Sequence, residues 1–409
     1  MKKFDIPEQY RSAIIGEIKN RRRIADPRKQ DFAPSSFSLG NITFIFPRHF
    51  GFCYGVENAI ERSYKAIREN PDKRIFLLSE MIHNPAVNED LAGYGLKFIM
   101  DTEGRQLVPW SEIQPEDVVI IPAFGTTIET EQLLKEKGVE LTRYNTTCPF
   151  VEKVWKRSAE IGEKGFTIII HGKYKHEETR ATFSHSYQNA PSIIVRDIQE
   201  AELIGGFMLG IMDKASFMRH FEGKVSAGFD PDNDLQSVGV VNQTTMLATE
   251  TQEIADYFKQ VMADKHGENF KNYFADTRDT LCYATNDNQQ STLAALSSEA
   301  DLALVVGGYN SSNTSQIVTI LAQHFPTYFI QDAGELLSEQ SIRHFNYEQQ
   351  ELLTSASWLP QKENLRILIT SGASCPDTIL EEVIARIIQF RPGSITPAEA
   401  LVHFMPGKA

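Results

Sequence analysis

Four cysteines stand in this 409-residue chain, Cys53, Cys148, Cys282 and Cys375, separated by 95, 134 and 93 residues. That spacing is neither a disulfide framework nor a CxxC finger. Three of the four share a context, a short turn after which a helix begins: Gly51-Phe52-Cys53-Tyr54-Gly55, Thr146-Thr147-Cys148-Pro149 and Leu281-Cys282-Tyr283. A helix N-terminus favours a thiolate, the form of cysteine that binds metal. Core filling explains one buried thiol easily, but not three in matching places. Cys375 has no counterpart and reads as a core residue.

Polar residues keep the same register. His83 falls 30 residues after Cys53, His176 falls 28 after Cys148, and Asn310-Ser311-Ser312-Asn313 falls 28 to 31 after Cys282. Thr244, in Asn242-Gln243-Thr244-Thr245, and Ser374, in Ser371-Gly372-Ala373-Ser374, occupy a second set of small-residue loops, as does Pro122-Ala123-Phe124-Gly125. Each Ser or Thr alone is explained by turn chemistry or capping. Together, His83, His176, Thr244, Ser311, Ser312, Asn313 and Ser374 offer neutral or weakly cationic donors suited to an anion such as a diphosphate. The conspicuous acid is in His176-Glu177-Glu178. A buried carboxyl there has its pKa raised and becomes a proton donor near neutrality.

The elements that must position these residues repeat three times. Continuous apolar strands (Ile42–Phe46, Ile75–Leu78, Phe166–Ile170, Leu302–Val306) alternate with amphipathic helices such as Val56–Ile67. Further strands are expected over Val118–Ile121, Val139–Tyr144, Val238–Val241 and Ile367–Thr370. This is the pattern of parallel sheets covered on both faces, which bind ligands outside the carboxyl ends of their strands. Three alike units therefore aim three cysteines and their polar loops at a common centre.

Three cysteines without histidine at equivalent positions suit an iron–sulfur cluster or a Cys-rich zinc site. Structural zinc usually takes four ligands in close pairs, so the wide spacing favours the cluster. A cubane of four irons on three thiolates leaves one iron open for substrate. Other motifs fail. Asp230-Pro231-Asp232-Asn233-Asp234 lacks the Gly and Glu of a calcium loop, His176-Glu177 meets Arg180 where a zinc protease has His, and Val306-Gly307-Gly308 lacks the Lys-Ser/Thr of a P-loop.

The chain has 41 Lys and Arg against 54 Asp and Glu, a net charge of −13, which argues against a nucleic-acid partner. No apolar run approaches the ~20 residues of a membrane span. Residues 1–30 hold nine basic and four acidic residues. They lack the apolar core of a secretory signal. An exposed arm with a helix over about 8–23 is expected, its basic run a solvated face, in a cytoplasmic protein.

The motifs quoted above, with Ile82-His83-Asn84, His171-Gly172-Lys173-Tyr174-Lys175-His176-Glu177-Glu178-Thr179 and Cys282-Tyr283-Ala284-Thr285, resemble the 4-hydroxy-3-methylbut-2-enyl diphosphate reductase family (IspH, or LytB) over about residues 42–390. The arm and residues 122–125 and 228–231 are similar to its longer cyanobacterial and plant branch. The resemblance implies an α/β trefoil of three pseudo-threefold-related domains around one 4Fe–4S cluster. Its three thiolates map onto Cys53, Cys148 and Cys282. It implies a two-electron reductive dehydroxylation, the last step of the non-mevalonate isoprenoid pathway, with electrons from a donor such as ferredoxin or flavodoxin. Glu178 is then the proton donor and Thr244 orders the hydroxyl and that carboxylate. His83, His176, Ser311, Asn313 and Ser374 match diphosphate-binding positions, with Ser312 added. Phe124 stands where many bacterial members have a histidine, and Glu177 takes the place of a proline.

The implied division is an arm over 1–41, domains over 42–145, 146–279 (with an insertion at about 186–236) and 280–390, and a tail over 391–409. Competing readings are a non-catalytic iron–sulfur sensor or scaffold, or another three-cysteine trefoil enzyme such as quinolinate synthase.

Overall fold

In a computed structural model of the chain, residues 4–275 and 280–407 are described. The expected boundary between the second and third domains, at residue 279, lies outside the described residues. The fold is mixed α/β with several small sheets, and packing groups the chain into two compact units.

The first unit comprises the described residues of 1–57, 83–87 and 283–409. Its main sheet has five strands in the spatial order Ser35–Ser38, Ile42–Phe46, Leu365–Ser371, Leu302–Val306, Thr327–Ile330. All neighbours are parallel except the first pair. Every residue of Leu302–Val306 is buried, which is why that strand reads as an unbroken apolar run. Ile42–Phe46 lies beside Leu365–Ser371, where Phe44 and Ile367 stand in register and both join one core.

The arm is not an exposed appendage. Its helix, Ala13–Ala25, buries Ile15 and Ile18 in that same core, and Arg22 is also buried. Apolar residues at a spacing of three or four supply one buried stripe among the charges. A three-stranded antiparallel sheet, Leu336–Ser338, Ser341–Asn346 and Glu351–Ala356, completes the unit's strands.

The second unit comprises 58–82 and the described residues of 88–282. It holds two parallel sheets. One has the order Lys97–Phe98, Ile75–Leu77, Val118–Ile120; the other runs Ser192–Val195, Thr167–His171, Val238–Asn242, Phe274–Ala275. The segment expected to be a strand over Val139–Tyr144 forms none. Val139, Leu141 and Tyr144 are buried, yet among the described residues the only pairing there is one parallel bridge of Ile121 with Asn145. Burial alone therefore produced the apolar alternation. The 186–236 segment supplies the edge strand Ser192–Val195 and the helices Ile198–Met208, Lys214–His220 and Pro231–Asp234, which bury Ile204 and Phe217 in the unit's larger core.

Candidate functional site

The three expected cysteines share one local construction. Each follows a chain segment paired to a sheet, and each begins a helix: Tyr54–Glu69, Pro149–Gly162 and Tyr283–Ala295. Each cysteine N–H donates to a carbonyl in the loop after a strand: Cys53 to Ala373 at 3.3 Å, Cys148 to Ala123 at 2.9 Å and Cys282 to Thr244 at 3.3 Å. The strands concerned, Leu365–Ser371, Val118–Ile120 and Val238–Asn242, coincide with three of the further strands expected from the sequence. All three cysteines are half-buried thiols, whereas Cys375 is wholly buried in the first unit's core.

In the second unit, His176 is the N-cap of the helix Glu177–Tyr187 and its Nδ1 accepts from the Glu178 N–H at 3.2 Å. An acceptor Nδ1 leaves the ring proton on Nε2, so His176 can donate from that nitrogen. The Glu178 side chain is 2% exposed in its residue total and accepts from the Thr244 N–H at 2.5 Å. Burial pushes the Glu178 carboxyl up to about 7, against the opposing hydrogen bonds from the Thr244 backbone and side chain. Thr244 thus joins two candidate groups, its N–H to Glu178 and its carbonyl to the Cys282 N–H.

Burial pushes the Cys148 thiol up to about 12, and the charges of Cys282 and Glu178 push the same way. The backbone N–H groups of Phe150 and Val151 at the helix start act the other way and favour the thiolate, but burial is the larger effect. Deprotonation of Cys148 must then accompany binding of a positive group, as metal binding with proton release does.

Two neighbours refine the picture. Phe124 meets the His176 ring edge-on, with centroids 5.8 Å apart at 82°. Next to it, Gly125 has φ of +76°, and a Cβ there would lie 2.5 Å from Trp155. Gln243, in a motif recognised by sequence but given no role, bridges two loops. Its Oε1 accepts from the Thr179 hydroxyl at 2.9 Å and from the Lys173 N–H at 3.2 Å. Glu177, discounted from sequence, is also buried, and desolvation pushes it up to about 8.

The first unit gathers His83, Ser311, Ser312, Asn313 and Ser374, all buried. The Ser374 hydroxyl donates to the His83 carbonyl at 3.0 Å, and a Cβ on Gly308 would come within 2.4 Å of that carbonyl. Ser311 caps the helix Ser312–Ala322, its Oγ accepting from the Thr314 N–H and hydroxyl, so its own proton remains to donate. Asn313 Oδ1 accepts from the Ala373 N–H at 2.9 Å and from Asn288 at 3.2 Å. Its Nδ2 is buried without an acceptor among the described residues. A buried amide donor left unpaired costs about 1–3 kcal/mol, so the position suits an anionic acceptor.

Within neither unit do three described His, Cys, Asp or Glu side chains converge as a single ion requires. A cluster asks for something else, one thiolate on each of three irons. Each of Cys53, Cys148 and Cys282 is a half-buried thiol held by its own N–H, the kind of ligand such a cluster takes. No described helix is long and apolar enough to cross a membrane.

A family profile described as LytB protein matches residues 45–388. A protein of Picosynechococcus sp. named 4-hydroxy-3-methylbut-2-enyl diphosphate reductase is 37% identical over 380 residues, covering 93% of this chain and 89% of its own length. One of the same name from Thermosynechococcus vestitus is 40% identical over 353 residues, covering 86% of each. The solved structure of the E-1-hydroxy-2-methyl-but-2-enyl-4-diphosphate reductase from Plasmodium falciparum superposes with a TM-score of 0.61 at 19% identity. It covers 87% of this chain and 90% of that one and shares its fold.

Proposed function

The chain belongs to the LytB protein family, and from that premise we propose that it reduces (E)-4-hydroxy-3-methylbut-2-enyl diphosphate to isopentenyl and dimethylallyl diphosphate. The C–O bond of the allylic alcohol breaks, two electrons and two protons are consumed, and water leaves. This is the last step of the non-mevalonate isoprenoid pathway. Cys53, Cys148 and Cys282 would hold a 4Fe–4S cluster, which would supply the electrons and a Lewis-acidic iron for the allylic oxygen.

The protein's own groups do the rest. Glu178, protonated up to near neutrality, delivers a proton. Its position is fixed by the Thr244 N–H, and the Thr244 hydroxyl orders the carboxyl and the departing oxygen. His83, His176, Ser311, Ser312, Asn313 and Ser374 are assigned to the diphosphate. Neutral donors hold an anion without the tight ion pairs that would slow its release. Electrons come from a low-potential carrier such as ferredoxin or flavodoxin, and the location is cytoplasmic, where thiols are kept reduced.

The observation that carries this reading is the Thr244 junction, which ties the raised carboxyl of Glu178 to the backbone of Cys282. Anaerobic purification with iron and sulfide analysis, followed by turnover with a chemical reductant, tests it. Serine at Cys53, Cys148 or Cys282 should lose the cluster and the activity, while Cys375→Ser should keep both. Colourless, iron-free, folded wild-type protein would sink the reading.

A further inference from the structure

An open cavity of about 810 Å³ lies in the first unit, one wall made by the N-terminal arm and another by the Cys53 loop. The arm grips the residues beside that cysteine. Phe4 meets Tyr54 edge-on at 5.0 Å, and Tyr10 meets Phe52 at 6.0 Å. The Tyr283 hydroxyl accepts from the Tyr54 N–H at 3.2 Å, and Lys29 lies over the Tyr283 ring. The cavity also carries Arg11, Lys19, Arg23, Lys29 and Arg48 against Glu57, Asp287 and Asp377, so cations outnumber acids in its lining, and Arg11 pairs with Glu8.

Some of this charge is spent within the fold, because Lys19 pairs with Asp377 and Arg48 with Asp26. Arg23 and Lys29 have no ion-pair partner among the described residues, and Arg23 is exposed. The reaction needs two electrons from outside the chain, and Cys53 is the candidate cluster ligand that this cavity reaches.

Resting on the function proposed above, we propose that the arm and the Cys53 loop form the docking surface for an acidic one-electron carrier protein. Two reduced carriers visit in turn, each leaving oxidised by one electron, for every diphosphate reduced. Charge complementarity selects this occupant. In a chain of net charge −13, the arm's first 30 residues hold nine basic residues against four acidic ones. A cationic rim around an aromatic floor steers an acidic protein and then gives it a surface to press against.

The test uses anaerobically purified holoenzyme and a plant-type 2Fe–2S ferredoxin as the probe. Calorimetry should show binding that weakens steeply between low salt and about 0.5 M salt, where screening shortens to a few ångströms. Arg23→Glu with Lys29→Glu should raise the ferredoxin Kd about tenfold or more at low salt, and Arg23→Gln with Lys29→Gln should raise it by less. The KM for ferredoxin should rise in parallel. Turnover with dithionite and methyl viologen, iron content and circular dichroism should stay as in wild type.

Wild-type ferredoxin affinity in the double-Glu variant would overturn the proposal. So would a cavity that takes ATP, or pairs two copies of the chain, while ignoring ferredoxin. A wild type that binds ferredoxin in this way but does not reduce the diphosphate with any reductant would overturn the function and leave the docking surface standing.

Discussion

The N–H of Thr244 meets the carboxylate of Glu178 at 2.5 Å, in a place where neither side chain has appreciable access to water. A carboxylate that accepts such a bond is held more acidic by it, yet burial wins and carries Glu178 up to about 7. The Glu178 carboxyl is therefore protonated below about pH 7, as the proposed proton donor must be, and loses that proton above it. Turnover limited by this transfer should fall as pH rises through about 7. Glu178→Gln keeps the shape but cannot deliver a proton, and should lower kcat by about 10²–10⁴, with the diphosphate KM changed little. A pH profile of kcat with a chemical reductant checks both. A variant that turned over normally would remove Glu178 from the role of acid.

Glu177 allows a test that needs no substrate. Its carboxyl is pushed up to about 8 chiefly by burial, from an ordinary value of 4.5. Between these two values the folded chain keeps a proton that the unfolded chain has released. Stability must therefore fall as pH rises through that window, and level off above about 8. Glu177→Gln should remove this component and leave the variant about 1–3 kcal/mol more stable than wild type at pH 9. Denaturant unfolding at pH 5 and pH 9 reads the difference.

Asn313 is placed by its oxygen and offers its nitrogen. Oδ1 is engaged by the Ala373 N–H and by Asn288, while Nδ2 is buried with no acceptor among the described residues. Asn313→Asp keeps the engaged side of the group and replaces the donor with a negative charge. It should raise the KM for the diphosphate by about 10²-fold or more, since losing a bond to a charged group and adding repulsion each cost about 1.5–3 kcal/mol. Pyrophosphate inhibition should weaken in step. An unchanged inhibition constant would detach Asn313 from the anion.

Much of this was legible in the sequence because the chemistry repeats. Strands buried on both faces, such as Leu302–Val306 and Val238–Asn242, announce themselves as apolar runs, and small-residue loops at their ends mark where ligands bind. Three features were hidden. Strand partnership was one: Ile42–Phe46 carries nothing that says it will lie beside Leu365–Ser371, more than 300 residues away. The antiparallel pair Ser341–Asn346 and Glu351–Ala356 was another, since no Asn-Gly or Asp-Gly marks its turn. There Gln350 takes a φ of +56° and Asn346 Oδ1 accepts from the Glu348 and Gln349 N–H groups. The third was the arm. Nine basic and four acidic residues crowd its first 30 positions, so two buried isoleucines on one helical stripe went unread. Gln243 shows the same limit at the site, because a bridging amide is recognised only when both loops are seen.

Phe124 gives the last prediction, since its role can be read from the ring it touches. An aromatic edge against His176 restrains that imidazole, whose Nδ1 is already committed to the Glu178 N–H. Such a pair contributes about 0.5–1.5 kcal/mol beyond its buried area. Phe124→Ala should therefore loosen His176 and raise the KM for the diphosphate about two- to tenfold, with kcat nearly unchanged. Phe124→His restores both a ring and a donor, and should lower the KM below that of wild type. If Phe124→Ala left the KM untouched while His176→Ala raised it, His176 would be held by its cap alone. Phenylalanine would then be a neutral replacement at this position rather than a support for its neighbour.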